Sequence, residues 1–442
     1  MPKIAFMGAG STIFAKNVLG DCMLTPEIKD MDIALYDIDH VRLEDSRLML
    51  ENIKKNVGRS DVKITAYTNR KDALRNAKYV INAIQVGGYK PCTVTDFEIP
   101  KKYGLRQTIA DTLGVGGVFR ALRTIPVLEE FIKDMEEVCP DCLFMNYANP
   151  MAMLTGYVQH HSKIKTIGLC HSVQVVIPQL FESIDMKELI DETMYDVAGI
   201  NHQAWLLRVQ DKNGKDLYPE IKKRCFDFLD GKAPQYKSDW DKVRYEIMRQ
   251  FGYYVTESSE HNAEYTPWFI KSKHPELIEK YNIPLDEYPR RCVNQINEWK
   301  EMRDKLVNNK DLTHERSREY ASHIIEAMET DKPYRIHANV QNNGLIKNLP
   351  YNACVEVPCL IDRAGVHPCY VGDLPEQCAA INRTNINVQL MTIQAAHTHK
   401  KEDVYRAVLL DPHTAAELTI DEIRSMCDDL FEAHKDWMPE YK

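Results

Sequence analysis

The sequence lacks most features that mark secreted, membrane-spanning and nucleic-acid-binding chains. No apolar run in its 442 residues approaches the roughly 18 needed to cross a bilayer. The opening "MPKIAFMGAGS" has no basic segment followed by an apolar stretch and a small-residue cleavage site, so it does not read as a signal peptide. Basic residues are in deficit, and the formal net charge of -9 argues against a nucleic-acid surface. Repeats, low-complexity tracts and long linkers are absent. These absences lead to the expectation of a cytoplasmic protein that binds neither membrane nor nucleic acid.

Twelve cysteines are scattered along the chain, and without a leader they are expected to be reduced. "CPDC" at Cys139–Cys142 fits C-x-x-C, but no second pair follows at zinc-site spacing. Cys142 leads straight into the apolar "LFMNYANP", which favours two ordinary cysteines ahead of a strand.

The first 200 residues alternate strand and helix patterns. "KIAFMG", "DIALYDID", "VKITAYT", "YVINAIQVGG", "LFMNYANP" and "TIGLC" read as strands. "STIFAKNVLGDCML", "VRLEDSRLMLENIKKN", "RKDALRNA" and "TIPVLEEFIKDMEEV" read as helices. Alternation of this kind predicts an α/β fold with a Rossmann-like parallel sheet covered on both faces. After about Asn201 helices dominate, as in "DWDKVRYEIMRQFG", "RRCVNQINEWKEMRDKLV" and "THERSREYASHIIEAMET", with extended stretches at "ACVEVPCLID" and "CYVGDLP". The expected organisation is a Rossmann-like domain over 1–200 and a mixed α+β domain over 201–442.

"IAFMGAGST" places Gly8 and Gly10 between the first strand and the first helix. Gly8 permits a tight turn, and Gly10 lets backbone approach a pyrophosphate at a helix N-terminus. Ser11 can cap the helix or donate to phosphate. Ile13 occupies the third position of G-x-G-x-x-G, a departure from the full pattern. "LYDID" supplies Asp37 and Asp39 at the next strand end, where an acid accepts the ribose hydroxyls of NAD and repels the 2′-phosphate of NADP. The competing reading is a structural glycine turn with a helix-capping acid.

Polar motifs follow the later strands. "NYANP" carries Asn149, "TIGLCHS" carries Cys170 and His171, and "AGINHQAW" carries His202. A lone strand-end His or Cys is ordinarily structural. Together, Cys170 and His202 suggest a divalent site with positions left open for substrate oxygens, since a structural zinc would need four protein ligands. Manganese suits nitrogen and oxygen ligands, with nickel, cobalt or iron as alternatives. "VTESSEHNAEYTPWF" concentrates Glu257, Glu260, His261, Glu264 and Tyr265 beside Trp268 and Phe269. It reads equally as an acid–base or sugar-binding loop and as a solvated charged loop.

Longer motifs carry a resemblance over essentially the whole chain. "GAGSTIFAKNVLGD", "GGYKPCTVTDFEIPKKYGLRQTIADTLGVGG", "NYANPMAM", "GLCHSVQ", "AGINH", "YYVTESSEHNAEYTPWFIK" and "TNINVQ" resemble the NAD- and manganese-dependent family 4 glycosidases, most nearly their bacterial α-galactosidases. The resemblance implies hydrolysis of terminal α-galactosides, melibiose and raffinose-type sugars among them, without the usual carboxylate pair. Its chemistry is oxidation at sugar carbon 3 by NAD, deprotonation at carbon 2, elimination of the aglycone, water addition and return of the hydride. By the same resemblance Cys170 and His202 match metal ligands, Asn149 a substrate-binding residue, and Gly8, Gly10, Ser11 and Asp37 the NAD site. Tyr265 matches a base, with Glu260 as runner-up. His171 stands where the phospho-α-glucoside members carry Asp. It is a candidate proton donor or substrate clamp, and it argues against a phosphorylated substrate. A homodimer or homotetramer is implied. Alternatives are an α-glucosidase or α-galacturonidase of the same family, a malate- or lactate-like dehydrogenase, and an NAD-sensing regulator.

Overall fold

The computed structural model describes residues 1–442. Twelve strands form one sheet: β1 (Lys3–Met7), β2 (Asp32–Tyr36), β3 (Lys63–Tyr67), β4 (Tyr79–Asn82), β5 (Leu143–Asn146), β6 (Lys165–Gly168), β7 (Met194–Ile200), β8 (Gln203–Gln210), β9 (Tyr254–Val255), β10 (Tyr334–Gln341), β11 (Cys354–Asp362) and β12 (Gly365–Pro368). Its first half runs in parallel in the order β3-β2-β1-β4-β5-β6, the doubly wound Rossmann order. β1 has the composition this needs: Ile4 and Phe6 enter one hydrophobic core while Ala5 and Met7 enter the other, because successive side chains leave opposite faces.

The same sheet then continues through β10, β11, β7, β8 and β9 in antiparallel pairing, with β12 on the outer side of β11. The splice is narrow: β6 meets β10 at the single register pair Gly168 and Asn339. Gly168 has no room for a side chain, since a Cβ there would lie 2.5 Å from Met151 Sδ and 2.7 Å from Thr155 Oγ1.

Several expected elements differ in extent. The fourth strand ends at Asn82, and the rest of "YVINAIQVGG" turns away from the sheet. The helix expected over "TIPVLEEFIKDMEEV" starts earlier and spans Gly114–Val138. "CYVGDLP" is not a strand; β12 precedes it. The helix expected from Thr313 begins only at Tyr320. Its would-be first turns are captured by Asp21, buried on the helix Thr12–Met23. The Asp21 carboxylate lies 2.7 Å from His314 Nε2 and accepts from Ser317 N at 2.8 Å and Ser317 Oγ at 2.5 Å. An amide given to a distant carboxylate is not available to a helical carbonyl.

Burial alone would raise the Asp21 carboxyl, but the bonds from His314 and Ser317 outweigh it and hold it below its ordinary value. Its contribution to stability is therefore present above the usual carboxylate range and lost as pH falls through the depressed folded value. Asp21→Asn is expected to lower stability by about 2–3 kcal/mol at pH 7. In melts across pH the deficit should shrink below about pH 4; a deficit independent of pH would assign the loss to packing alone.

Candidate active site

The nucleotide turn follows β1. Gly8 adopts φ 87°, and a Cβ there would lie 2.7 Å from the Ala83 carbonyl oxygen. A Cβ on Gly10 would lie 2.7 Å from Asp37 Oδ2, the atom to which Gly10 N donates at 2.6 Å. The two acids of "LYDID" separate in role. Asp39 caps the helix His40–Asn56, accepting from Val41 N and Arg42 N. Asp37 faces the glycine turn, and its other oxygen accepts from Asp39 N at 2.8 Å. Ser11 stands at the N-cap of the helix Thr12–Met23, but its hydroxyl makes no capping bond and is left for a ligand. A backbone this bare, at the N-terminus of a 12-residue helix beside a ribose-type acid, fits a dinucleotide.

Cys170 lies two residues past β6, and His202 occupies the turn between β7 and β8. The fold brings them together, with His202 Nε2 3.1 Å from Cys170 Sγ. Glu257 completes the group, its Oε2 3.9 Å from the sulfur and 3.7 Å from His202 Nε2. Glu257 has a left-handed backbone, φ 67°, and buried Arg244 donates to its carbonyl oxygen. Thiolate, imidazole and carboxylate within one ligand sphere suit a divalent cation with open positions. Electrostatics argue the same way. Burial, with Glu257 and Glu356 nearby, pushes the Cys170 thiol well above its ordinary value. Burial also raises the carboxyl of Glu356, on β11, to about 7. Burial opposes ionisation of Glu257 too, yet His202, His261 and Arg244 hold it below its usual value. A cation would neutralise this negative cluster.

Beside the donor set lies a second group. His261 sits 3.6 Å from Glu257 Oε1 through Nδ1 and 3.6 Å from Asp111 Oδ1 through Nε2. Asp111 is buried, but His261 and Arg120 overcome that penalty and hold its carboxyl at about 2. It accepts from Asn149 Nδ2 at 3.1 Å, and Arg120 Nε donates to the Asn149 carbonyl oxygen at 3.2 Å. The Tyr265 hydroxyl lies 3.4 Å from His202 Nδ1 and shares a short hydrogen bond with Thr112. Its ring is fully buried, which pushes the phenol well above its ordinary value. Glu260 points elsewhere, paired with Arg291 at 3.1 Å. His171 Nε2 lies 2.7 Å from Glu319, which raises its pKa.

The structure thus collects Cys170, His202, Tyr265 and Asn149 in one group and places His171 at its side. Glu257, His261 and Asp111 join them, and composition gave little reason to choose these three among the chain's acids and histidines. Glu257 and His261 lay inside the dense "ESSEH" stretch, where Ser259 and His261 are buried and Glu257, Ser258 and Glu260 half-buried. Asp111 lay inside "TIADT". Glu319 carried no signal at all. Cys139 and Cys142 are buried ahead of β5, as ordinary core thiols would be.

A divalent cation such as Mn2+ at a hundred times its dissociation constant should stabilise the protein by about 2.7 kcal/mol, visible as a raised melting temperature. Cys170→Ser or Glu257→Gln should remove most of that shift. Affinity should rise with pH between 6 and 8, because the Cys170 thiol must lose its proton to bind. A flat profile for the wild-type protein would show that sulfur is not a ligand.

Known proteins resemble this chain in sequence and in fold. The family 4 glycosyl hydrolase model matches residues 3–186, and the model of that family's C-terminal domain matches residues 197–414. An α-galactosidase of Bacillus subtilis (strain 168) is 63% identical over 442 residues, 100% of either chain. An α-galactosidase of Rhizobium meliloti (strain 1021) is 36% identical over 99% of this chain and 89% of its own. The 6-phospho-β-glucosidase of Thermotoga maritima, solved with manganese, NAD+ and glucose-6-phosphate, shares the fold at a TM-score of 0.78 and 23% identity, over 99% of this chain and 100% of its own. Both halves of the chain and its full-length relatives agree, and the chain belongs to the family 4 glycosyl hydrolases.

Proposed function

We propose that the protein is an α-galactosidase that hydrolyses terminal α-galactosides, melibiose and raffinose-type sugars among them, with NAD and a divalent cation, manganese foremost. One observation carries the reading: a Cys–His–Glu donor set and a glycine turn with a ribose-type acid follow strands of one sheet in a chain 63% identical, end to end, to an α-galactosidase. The NAD+ and manganese of the Thermotoga maritima structure support the cofactors. His171, rather than an acid, after the thiol supports an unphosphorylated sugar. Twelve unbridged thiols and the absence of any helix long and apolar enough to cross a membrane are in keeping with a cytoplasmic enzyme, and a homodimer or homotetramer completes the reading.

When bound, NAD supplies a hydride acceptor and donor for sugar carbon 3, and the cation a Lewis acid for the neighbouring oxygens. Gly8, Gly10, Ser11 and Asp37 hold the dinucleotide, and Cys170, His202 and Glu257 the cation. Asn149 holds the sugar. Asp111 takes its amide hydrogen and Arg120 its backbone carbonyl, so Oδ1 is left to accept from a sugar hydroxyl. Tyr265, its hydroxyl fixed by Thr112 and His202, takes the proton from carbon 2 as a phenolate, a form that burial opposes and that the positive charge of a bound cation would favour. His171 gives a proton to the oxygen that leaves carbon 1. Water then adds at carbon 1, and carbon 2 regains a proton.

With a panel of nitrophenyl glycosides, release should be fastest from the α-galactoside and should stop when NAD+ or Mn2+ is withheld. Turnover in deuterium oxide should place deuterium at carbon 2 of the product; full retention of hydrogen there would favour direct displacement. Gly10→Ala should weaken NAD binding at least tenfold, because the added methyl must displace Asp37, while the melting-temperature shift with Mn2+ stays intact.

A further inference from the structure

His171 follows Cys170 directly in the chain, yet its ring is held by remote segments. Its Nε2 lies 2.7 Å from Glu319 Oε2, and Glu319 is buried while the imidazole is half-exposed. Two aromatic rings close on the imidazole: Phe14 edge-on at 6.4 Å between centroids, and Tyr147 at 6.1 Å. Phe14 belongs to the helix that opens at the nucleotide turn. Tyr147 follows β5 and accepts a hydrogen bond from Ala321 N, two residues past Glu319.

Glu319 is itself placed by a knot in the same helix. Asp21 takes His314 Nε2, Ser317 N and Ser317 Oγ, which keeps residues 314–317 out of helical form. Ser317 Oγ then accepts from Glu319 N at 3.2 Å, and Gln174 Nε2 donates to the Arg318 carbonyl oxygen at 2.5 Å. The carboxylate thus arrives on a segment tied to the nucleotide-turn helix on one side and to the helix Ser172–Ser183 on the other. With Nε2 engaged, Nδ1 is the ring atom left to meet a ligand.

We propose that Glu319 is the positioning residue of the site: it acts through His171, occupying Nε2 and turning Nδ1 toward the substrate. A half-exposed ring otherwise samples several rotamers, and a buried, backbone-anchored carboxylate restricts them to one before substrate arrives. The proposal deepens the assignment of His171 to the reacting sugar and rests on it.

A double-mutant cycle tests it, run on whichever nitrophenyl glycoside the wild-type protein cleaves fastest, so that an error in the identity of the sugar does not enter. Glu319→Gln is expected to lower kcat about tenfold to a hundredfold and to raise KM severalfold, with the Mn2+ shift and NAD affinity within about twofold of wild type. Glu319→Asp should recover part of the loss if it can still reach the ring. In a His171→Ala background, Glu319→Gln should cost no further activity. The proposal is overturned if Glu319→Gln costs the same factor with and without His171. It is overturned equally if Glu319→Gln matches wild type, or if it lowers cation or NAD binding in step with kcat. As a readout independent of turnover, galactose affinity measured by calorimetry should fall in Glu319→Gln and His171→Ala to a similar degree and no further in the double variant; losses that add would overturn it. Were a glycoside other than the α-galactoside cleaved fastest, the α-galactosidase reading would fail on that result alone, while the kinetic cycle run on that glycoside would still judge the pair.

Discussion

The constraint on which the site depends is the narrow splice between β6 and β10. A doubly wound parallel sheet places its ligands beyond the carboxyl ends of its strands. Here that sheet does not end at β6; it continues through antiparallel strands whose connection to the first half is a single register pair at Gly168 and Asn339. Immediately past the splice the chain leaves the sheet and presents Cys170, and the hairpin of β7 and β8 turns back with His202 at its tip. A wider pairing of β6 with β10 would keep residues 169 and 170 in the ladder, where alternate side chains must point to opposite faces.

Around that opening the protein buries opposing charges at close quarters. Asp111, Glu257 and Glu356 lie among His202, His261, Arg120 and Arg244, and the balance differs from one carboxylate to the next. Asp111 has His261 and Arg120 and stays ionised, whereas Glu356 has an Asn339 amide as its hydrogen-bond partner and is driven upward by burial. A site whose own cations compensate Asp111 and Glu257 but leave the Cys170 thiol and the Glu356 carboxyl raised by burial is prepared for a further positive charge. Two buried acids do different work: Asp111 accepts from the Asn149 amide, while Glu264 accepts from Thr108 N, Ile109 N and Ala110 N and pins the segment that carries Asp111.

The two halves of the chain meet in function as well as in sheet. The helix that opens at the nucleotide turn carries Phe14 against the His171 ring and Asp21 against the segment that bears Glu319. The glycine turn and the segment that holds the His171 ring are therefore attached to one helix, and displacement of that helix would be felt at both.

Much of this was legible in the linear sequence, for physical reasons that can be named. Short apolar runs set off by helix-period segments specify a parallel sheet covered on both faces, and the G-x-G turn with an acid after the second strand specifies its ligand class, because only glycine tolerates backbone that close to Asp37. Cys170, His202 and Asn149 stood out as candidates because each lies just past a strand end or in a tight turn. Three-dimensional structure alone decided the rest. Glu257 enters the donor set through a left-handed turn 87 residues beyond Cys170, and Glu319 reaches His171 from 148 residues away. No local pattern encodes such pairings. Residues 313–319 read as helix by their own composition and are held out of it by Asp21, a competition that appears only when the distant carboxylate is in place. Local periodicity determined the elements and the strand ends that bear the chemistry; long-range burial of charge decided which side chains face one another there.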